Sequence, residues 1–263
     1  MAHTLYSNVV LENKVESFLT TALDMSKYAT VDYSLAESAG MVKTINKYTA
    51  TGAVEDLAMG VGNTTSKDIA VAFTPVSYTV KVTQGHLPYF DEEEMKDPMV
   101  VEVGMKKLTD EMVNDLTSKI IAEFGKATLK HTMTNWNFDD FADAIAKYPY
   151  ESEDGLFIMI NPAEKAKVRK ALGADLKYSE GFARTGYIGH ICGVPVIVSK
   201  AVPANEGYLA TKEAVSVFIK KDTETEYERD ADKRNNTYWV RKVAVVALTD
   251  ATKVVKITIT SSI

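Results

Sequence analysis

The sequence predicts an α+β chain that projects an arm, and three observations predict it. A polar, glycine-bearing loop from about Thr49 to Asp68 hangs between two strand-like runs. An acidic run and one long amphipathic helix follow it. A compact α/β segment then gives way to strand-rich sequence up to the end. A structureless connection of about 20 residues is hard to place inside a closed domain. It fits an arm ordered by something outside the chain, and so a subunit of an assembly.

Each element has its own signal. Residues Leu5 to about Met25 read as an arm with a short helix, because Val9, Val10, Val15, Phe18, Leu19 and Leu23 recur at loose helical spacing. Met41 to Tyr48 reads as a strand and Ile69 to Thr83 as its partner. Val76, Tyr78, Val80 and Val82 alternate there with polar residues. Val71 and Phe73, before Pro75, lie on the other parity, so a bulge is expected at Pro75. The loop between the two runs reads as glycine-rich and without large apolar residues.

Asp91 to Glu94 is the acidic run. Asp97 makes a good N-cap and Pro98 suits a first helical position. Val101, Met105, Leu108, Met112, Leu116, Ile120 and Phe124 then form one apolar stripe of a helix reaching about Ala127. Thr117 is expected to lie off it. Gly104 carries a propensity cost that a close crossing would explain. Phe138 to Lys147 reads as a short helix and Leu156 to Ile160 as a buried strand. Asn161-Pro162 opens a helix through about Leu172, closed by Gly173. Gly181 to Gly189 is a loop. Gly193 to Ser199, Ala214 to Ile219, Glu224 to Arg229, Tyr238 to Leu248 and Lys253 to Thr260 read as strands, with a turn from Asp232 to Thr237.

Composition sets the bounds. The chain has 263 residues, 46% of them hydrophobic, enough for one large domain or two small ones. With 36 acidic and 30 basic residues the net charge is −6, which argues against broad nonspecific nucleic-acid binding. The single cysteine, Cys192, excludes an internal disulfide and reads as a buried thiol in an apolar run. The N-terminus has no signal-peptide pattern. No apolar run approaches the ~20 residues that span a bilayer, so no membrane partner is expected.

The search for chemistry returns little. His3, His86, His131 and His190 are scattered, with no metal-type pairing. Gly60-Val61-Gly62 is half of a phosphate-loop pattern and reads as loop punctuation. Asp139, Asp140 and Asp143 favour a helix N-terminus electrostatically. Asp230 and Asp232 sit in a turn without a calcium-loop pattern. Lys165, Lys167, Arg169, Lys170 and Lys177 form a basic cluster. It reads as a solvated helix face, or more sharply as a contact with an acidic neighbour or enclosed nucleic acid. No catalytic, cofactor-binding or metal-binding residue is assigned, no cofactor is expected, and the chain is not read as an enzyme.

The order of these parts resembles the major capsid proteins of tailed bacteriophages, with the Hong Kong 97-type fold, over essentially the whole chain. The most local echo is Ile191-Cys192-Gly193-Val194-Pro195-Val196-Ile197-Val198-Ser199 followed by Pro203. It is similar to the family's Gly-x-Pro-Val turn into an apolar strand. Asp97-Pro98 opening a long helix after an extended loop is similar to the spine helix.

The resemblance implies an N-terminal arm over residues 1–34 and an extended loop over 35–88. It implies a peripheral domain with the spine helix over 89–134 and 212–263, and an axial domain over 135–211. It implies pentamers and hexamers of an icosahedral shell around double-stranded DNA, bound without sequence specificity. The expected location is the virion, assembled in the host bacterial cytoplasm, with a portal as a further partner. Only about 34 residues precede the loop, so a fused scaffolding segment is expected to be absent and a separate scaffolding protein to serve. A few family members join a loop lysine to a peripheral asparagine; Lys67 with Asn235 or Asn236 are the rough candidates, and no such crosslink is expected here. The competing readings are an encapsulin-type shell around a cargo enzyme, and a soluble α+β enzyme whose long loop is a lid.

Overall fold

The computed structural model describes residues 28–97, 99–176 and 189–260. The expected arm helix, Pro98, Lys177 and most of the Gly181 to Gly189 loop lie outside them. Two sheets and one long helix organise the rest. The strands are β1 (Thr30–Asp32), β2 (Val42–Thr51), β3 (Ala70–Thr79), β4 (Lys81–Phe90), β5 (Leu129–Met133), β6 (Leu156–Ile160), β7 (His190–Ile191), β8 (Val194–Val198), β9 (Glu206–Thr211), β10 (Val215–Asp230), β11 (Asn235–Leu248) and β12 (Val254–Ile259). The helices are α1 (Asp91–Lys96), α2 (Met99–Phe124), α3 (Phe138–Ala146) and α4 (Pro162–Leu176).

One sheet runs in the order β1-β10-β11-β4 and the other in the order β5-β12-β9-β6-β8-β7, while β2 and β3 pair only with each other. Strand β6 explains why its sequence does not alternate. Leu156, Ile158 and Ile160 face a core shared with Phe141 and Ala144 of α3 and Val168 of α4. Phe157 and Met159 face the opposite core, between the two sheets. A strand buried on both faces has no polar parity to keep.

At 26 residues, α2 is about 39 Å long. Asp97 Oδ1 accepts the Met99 N–H at 3.0 Å, as expected of a capping residue. The first half of α2 packs Met105 and Met112 on Tyr89, Tyr238 and Val240 of the four-stranded sheet. Its end inserts Ile120, Ile121 and Phe124 between the sheets.

The buried face of α2 departs from the expected stripe. Met105, Met112, Ile120 and Phe124 are buried, but so are Thr109, Val113 and Thr117, while Leu108 and Leu116 are only half-buried. Residues 108, 112, 116, 120 and 124 advance in steps of four, and each step rotates the line by about 40° beyond a full turn. A fixed core cannot follow such a line, so Thr117 takes the position expected for its neighbour.

Three further expectations are corrected. The register from Val42↔Thr79 to Thr51↔Ala70 is continuous, so Pro75 pairs opposite Asn46 without a bulge. Both strands of a two-stranded ribbon are edges, where proline is tolerated. The partner strand ends at Thr79, and the chain enters the four-stranded sheet as β4; Val82 is then 54% exposed instead of inward. Helix α4 runs to Leu176 and carries Gly173 inside it. A helical glycine costs about 1 kcal/mol relative to alanine and does not by itself end a helix.

Candidate assembly surfaces

The ribbon β2–β3 is held at its root and free along its length. Ile45 and Tyr78 pack on a cluster of Leu35, Val80, Phe218 and Ala247. Lys43 Nζ lies 4.6 Å from the centroid of the Phe218 ring and 3.1 Å from Ser34 Oγ. The Val80 N–H donates to the Met41 carbonyl at 2.8 Å, and the Tyr78 hydroxyl to the Leu248 carbonyl at 3.4 Å. Beyond this clamp, Tyr48, Phe73, Val71 and Ile69 are 63–70% exposed. The pairs Tyr48↔Phe73 and Ala50↔Val71 place them on one face. The loop tip is not devoid of large apolar residues as expected: Val54, Leu57, Met59 and Val61 all stand exposed.

The acidic run forms α1 and is tied to the β10–β11 turn. Asp91 meets Arg229 at 2.9 Å and Glu92 meets Arg234 at 2.9 Å. The Asn236 amide donates to Asp91 at 2.5 Å, and with Arg229 it holds that carboxyl below its ordinary range. Asn235 and Asn236 thus lie in β11 and not in the expected turn. Asn236 is buried, with its Oδ1 accepting the Tyr227 hydroxyl at 2.6 Å. Such a side chain is poorly presented for attack by a lysine. Boiled, reduced particles should therefore run as monomer on a denaturing gel; a surviving ladder would overturn this.

Helix α2 and β4 interlock through two glycines. A Cβ at Gly104 would lie 2.6 Å from Leu87 Cδ2, and one at Gly85 would collide with Leu108 Cδ1. Gly104 therefore marks a close crossing, by a side chain rather than a backbone.

One buried acid gave no sequence signal. Glu164 is 1% exposed. It accepts the Trp136 indole N–H at 2.6 Å, the Lys167 ammonium at 2.9 Å and the Asn205 N–H at 3.3 Å. Burial works against its charge, but Lys167, Trp136 and Asn205 together outweigh it and lower the pKa from its ordinary 4.5. Glu164 lies in the first turn of α4, and beside the neighbouring Lys167 its partners come from 28 and 41 residues away. A depressed carboxyl stabilises above its unfolded pKa and loses that contribution as pH falls through the folded one. Glu164→Gln should cost about 1–3 kcal/mol near neutral pH. The cost should shrink below pH 4.5 in denaturant melts followed against pH; an unchanged cost at low pH would refute the assignment.

The remaining sequence candidates stay apart. Asn137 caps α3, its Oδ1 accepting the Asp140 N–H at 2.8 Å. Asp139 and Asp140 lie in that first turn, and Asp143 is exposed. Asp230 Oδ1 accepts the N–H of Asp232 at 3.1 Å and of Lys233 at 3.3 Å, closing a turn. Gly60, Val61 and Gly62 are exposed. His86 stacks on Trp239 at 4.8 Å, His131 Nε2 is buried without a partner, and His190 is exposed. Lys167 is paired with Glu164, Lys165 is half-buried, and Arg169 and Lys170 are exposed. Cys192 is half-buried, not buried: with φ of 50° beside Gly193 at 83°, it forms the two-residue turn joining β7 to β8. Burial, followed by the charges of Glu153 and Asp139, pushes its thiol pKa up. Among the described residues no group of His, Cys, Asp and Glu could hold a metal ion. No helix among them is long and apolar enough to cross a membrane.

The fold recurs over nearly the whole chain in solved structures. The capsid of a native GTA particle matches with a TM-score of 0.71 at 10% identity, covering 99% of this chain and 93% of that one. The capsid of the cyanophage P-SCSP1u matches at 0.67 and 12%, covering 90% and 88%. A virus-like particle from Pyrococcus furiosus matches at 0.64 and 14%, covering 95% and 98%. This is the Hong Kong 97-type capsid fold. The resemblance read from the order of parts is thereby upheld. No family model matches the chain. The capsid fold has a counterpart in sequence: a major capsid protein of Staphylococcus phage phiMR11 is 24% identical over 258 residues, 95% of this chain and 92% of that protein.

Proposed function

We propose that this protein is a major capsid protein, a structural subunit whose copies close into an icosahedral shell. The observation that carries the reading is agreement along nearly the whole chain. The phiMR11 capsid protein spans 95% of it in sequence, and the GTA capsid spans 99% of it in fold. The shell encloses double-stranded DNA, held without sequence-specific contacts, and is a component of the virion. A net charge of −6 suits a wall that must later release its DNA. Assembly in the bacterial cytoplasm with a separate scaffolding protein and a portal belongs to the same reading. So does the division into an arm (1–34), extended loop (35–88), peripheral domain (89–134 and 212–263) and axial domain (135–211). No catalytic step is assigned to it.

The test is electron microscopy of the purified, expressed protein. Closed megadalton particles are expected, and a small monodisperse monomer would overturn the reading and favour an enzyme with a lid loop. An encapsulin-type compartment is the second reading, since the same fold is found in a virus-like particle from Pyrococcus furiosus as well as in phage capsids. Nucleic-acid absorbance in native particles supports the capsid; a co-purified enzyme supports the compartment.

A further inference from the structure

Helix α4 carries four cations within six residues, Lys165, Lys167, Arg169 and Lys170, in a chain whose net charge is −6. The one carboxylate of α4 over residues 162–171 is Glu164, 1% exposed and already held by Trp136, Lys167 and the Asn205 N–H. Lys165, Arg169 and Lys170 have no ion-pair partner among the described residues.

Helical geometry sorts these cations into two rows. Lys165 and Arg169 lie one turn apart on one flank, and Lys167 and Lys170 lie one turn apart on the other. The exposed Pro162 and Ala166 stand between the rows, while Glu164 and Val168 face the body of the protein. The outward crest is therefore low. A long rod can approach the helix closely, with cations on both sides. Like charges one turn apart repel, and a polyanion laid against them removes the repulsion.

The second row opens into a cleft of about 310 Å3, where Lys167 and Lys170 meet Thr134, Asn135 and Asn205. Its lining has no carboxylate. The clefts at Glu226 and Glu228, at Glu123, and at Asp154 and Glu213 all carry one or more. The Lys167 ammonium directs two of its three protons to Glu164 at 2.9 Å and to Asn205 Oδ1 at 3.1 Å. One donor is left for a guest, and Lys170 and Thr134 supply others. A phosphate oxygen, which only accepts, fits that chemistry.

We infer that this face of α4, with the Lys167–Lys170 cleft, is where the shell wall touches the phosphate backbone of the enclosed duplex. The inference rests on the reading of the protein as a DNA-filled shell and adds to it the surface of contact. A regular row of phosphates, one charge per ~1.7 Å of duplex axis, can engage both flanks at once. A second copy of the chain is the poorer partner: the acidic row of Glu224 and Glu226 on β10 is already tied to Arg241. Contacts to phosphate carry no sequence information. A few per subunit, on an otherwise acidic chain, hold DNA without trapping it.

The test has two arms. In the first, DNA-filled particles and DNA-free shells are acetylated with a small reactive ester, and the modified lysines are read by mass spectrometry. Lys165 and Lys170 should react about fivefold or more slowly in the filled particles. Equal reactivity in both states overturns the inference. Protection in both states means that a neighbouring copy covers α4, and overturns it too. In the second arm, a 20-base-pair duplex is titrated with salt against the full-length subunit, kept below the concentration at which particles form. Lys165→Gln with Arg169→Gln and Lys170→Gln should flatten the slope of log K against log salt by about 0.9 per lost contact, hence about 2.7 in all. Lys47→Gln with Lys147→Gln and Lys212→Gln removes the same charge from exposed lysines elsewhere and should leave the slope unchanged. Equal changes in the two variants, or no duplex binding by the unaltered subunit at low salt, overturn the inference. If the protein forms no particles, the shell reading fails, and the salt slope still decides whether α4 binds phosphate.

Discussion

Phe124→Ala is expected to remove about 3–5 kcal/mol of stability and most of the soluble folded subunit. Phe124 has no exposed surface and ends the long helix at the point where both sheets meet it. Its ring is 6.1 Å from Phe157, edge-on, and 6.1 Å from Tyr208, stacked. Phe157 and Tyr208 belong to the six-stranded sheet, while Val215, Val217 and Leu248 of the same cluster belong to the four-stranded one. Truncation opens a cavity that no single sheet can close by shifting. Domains have only about 5–15 kcal/mol in total, so this one cavity decides folding yield. Ser118→Ala is the control on the same helix. Ser118 is exposed, and its hydroxyl only donates back to the Asn114 carbonyl at 2.7 Å, so the change should stay within about 0.5 kcal/mol. Similar denaturation midpoints for both variants would refute the view that this helix end joins the two sheets.

The sequence disclosed what local periodicity controls and hid what long-range packing controls. The ribbon strands, the helix that ends at Phe124 and the doubly buried β6 each follow from spacing within one segment. The failures share a cause. Val80 and Val82 have one parity, but Val80 is buried at 3% and Val82 is not, because the strand changes sheets between them and its inward face resets. A period of two holds only while the partner surface stays the same. Thr117 was missed because apolarity alone was used to trace the helix face, and a core accepts threonine where geometry points it inward. Glu164 was missed because its indole and backbone partners lie far off in sequence. The assembly surfaces were half legible. Length and glycines marked the arm, but its apolar face appears only once the register puts Tyr48 beside Phe73.

Deleting Gly52–Lys67 should therefore separate folding from assembly. With Asp68→Asn and Ile69→Gly closing the strands through a two-residue turn, the register up to Thr51↔Ala70 is kept. From Tyr48 to Pro75 every residue but the half-buried Glu55 is exposed. The segment therefore adds almost nothing to the core, and the unfolding midpoint should hardly move. Removing 16 residues of loop also lowers closure entropy in the right direction, though only slightly. What the deletion removes is Val54, Leu57, Met59 and Val61, side chains that have no reason to be apolar in a lone subunit. The expected product is a folded, soluble subunit that does not form normal closed particles by electron microscopy. Loss of all soluble protein would mean that the loop supports the fold itself. Normal shells from the shortened chain would mean that the tip is dispensable, and that assembly is carried by the ribbon stem and the body alone.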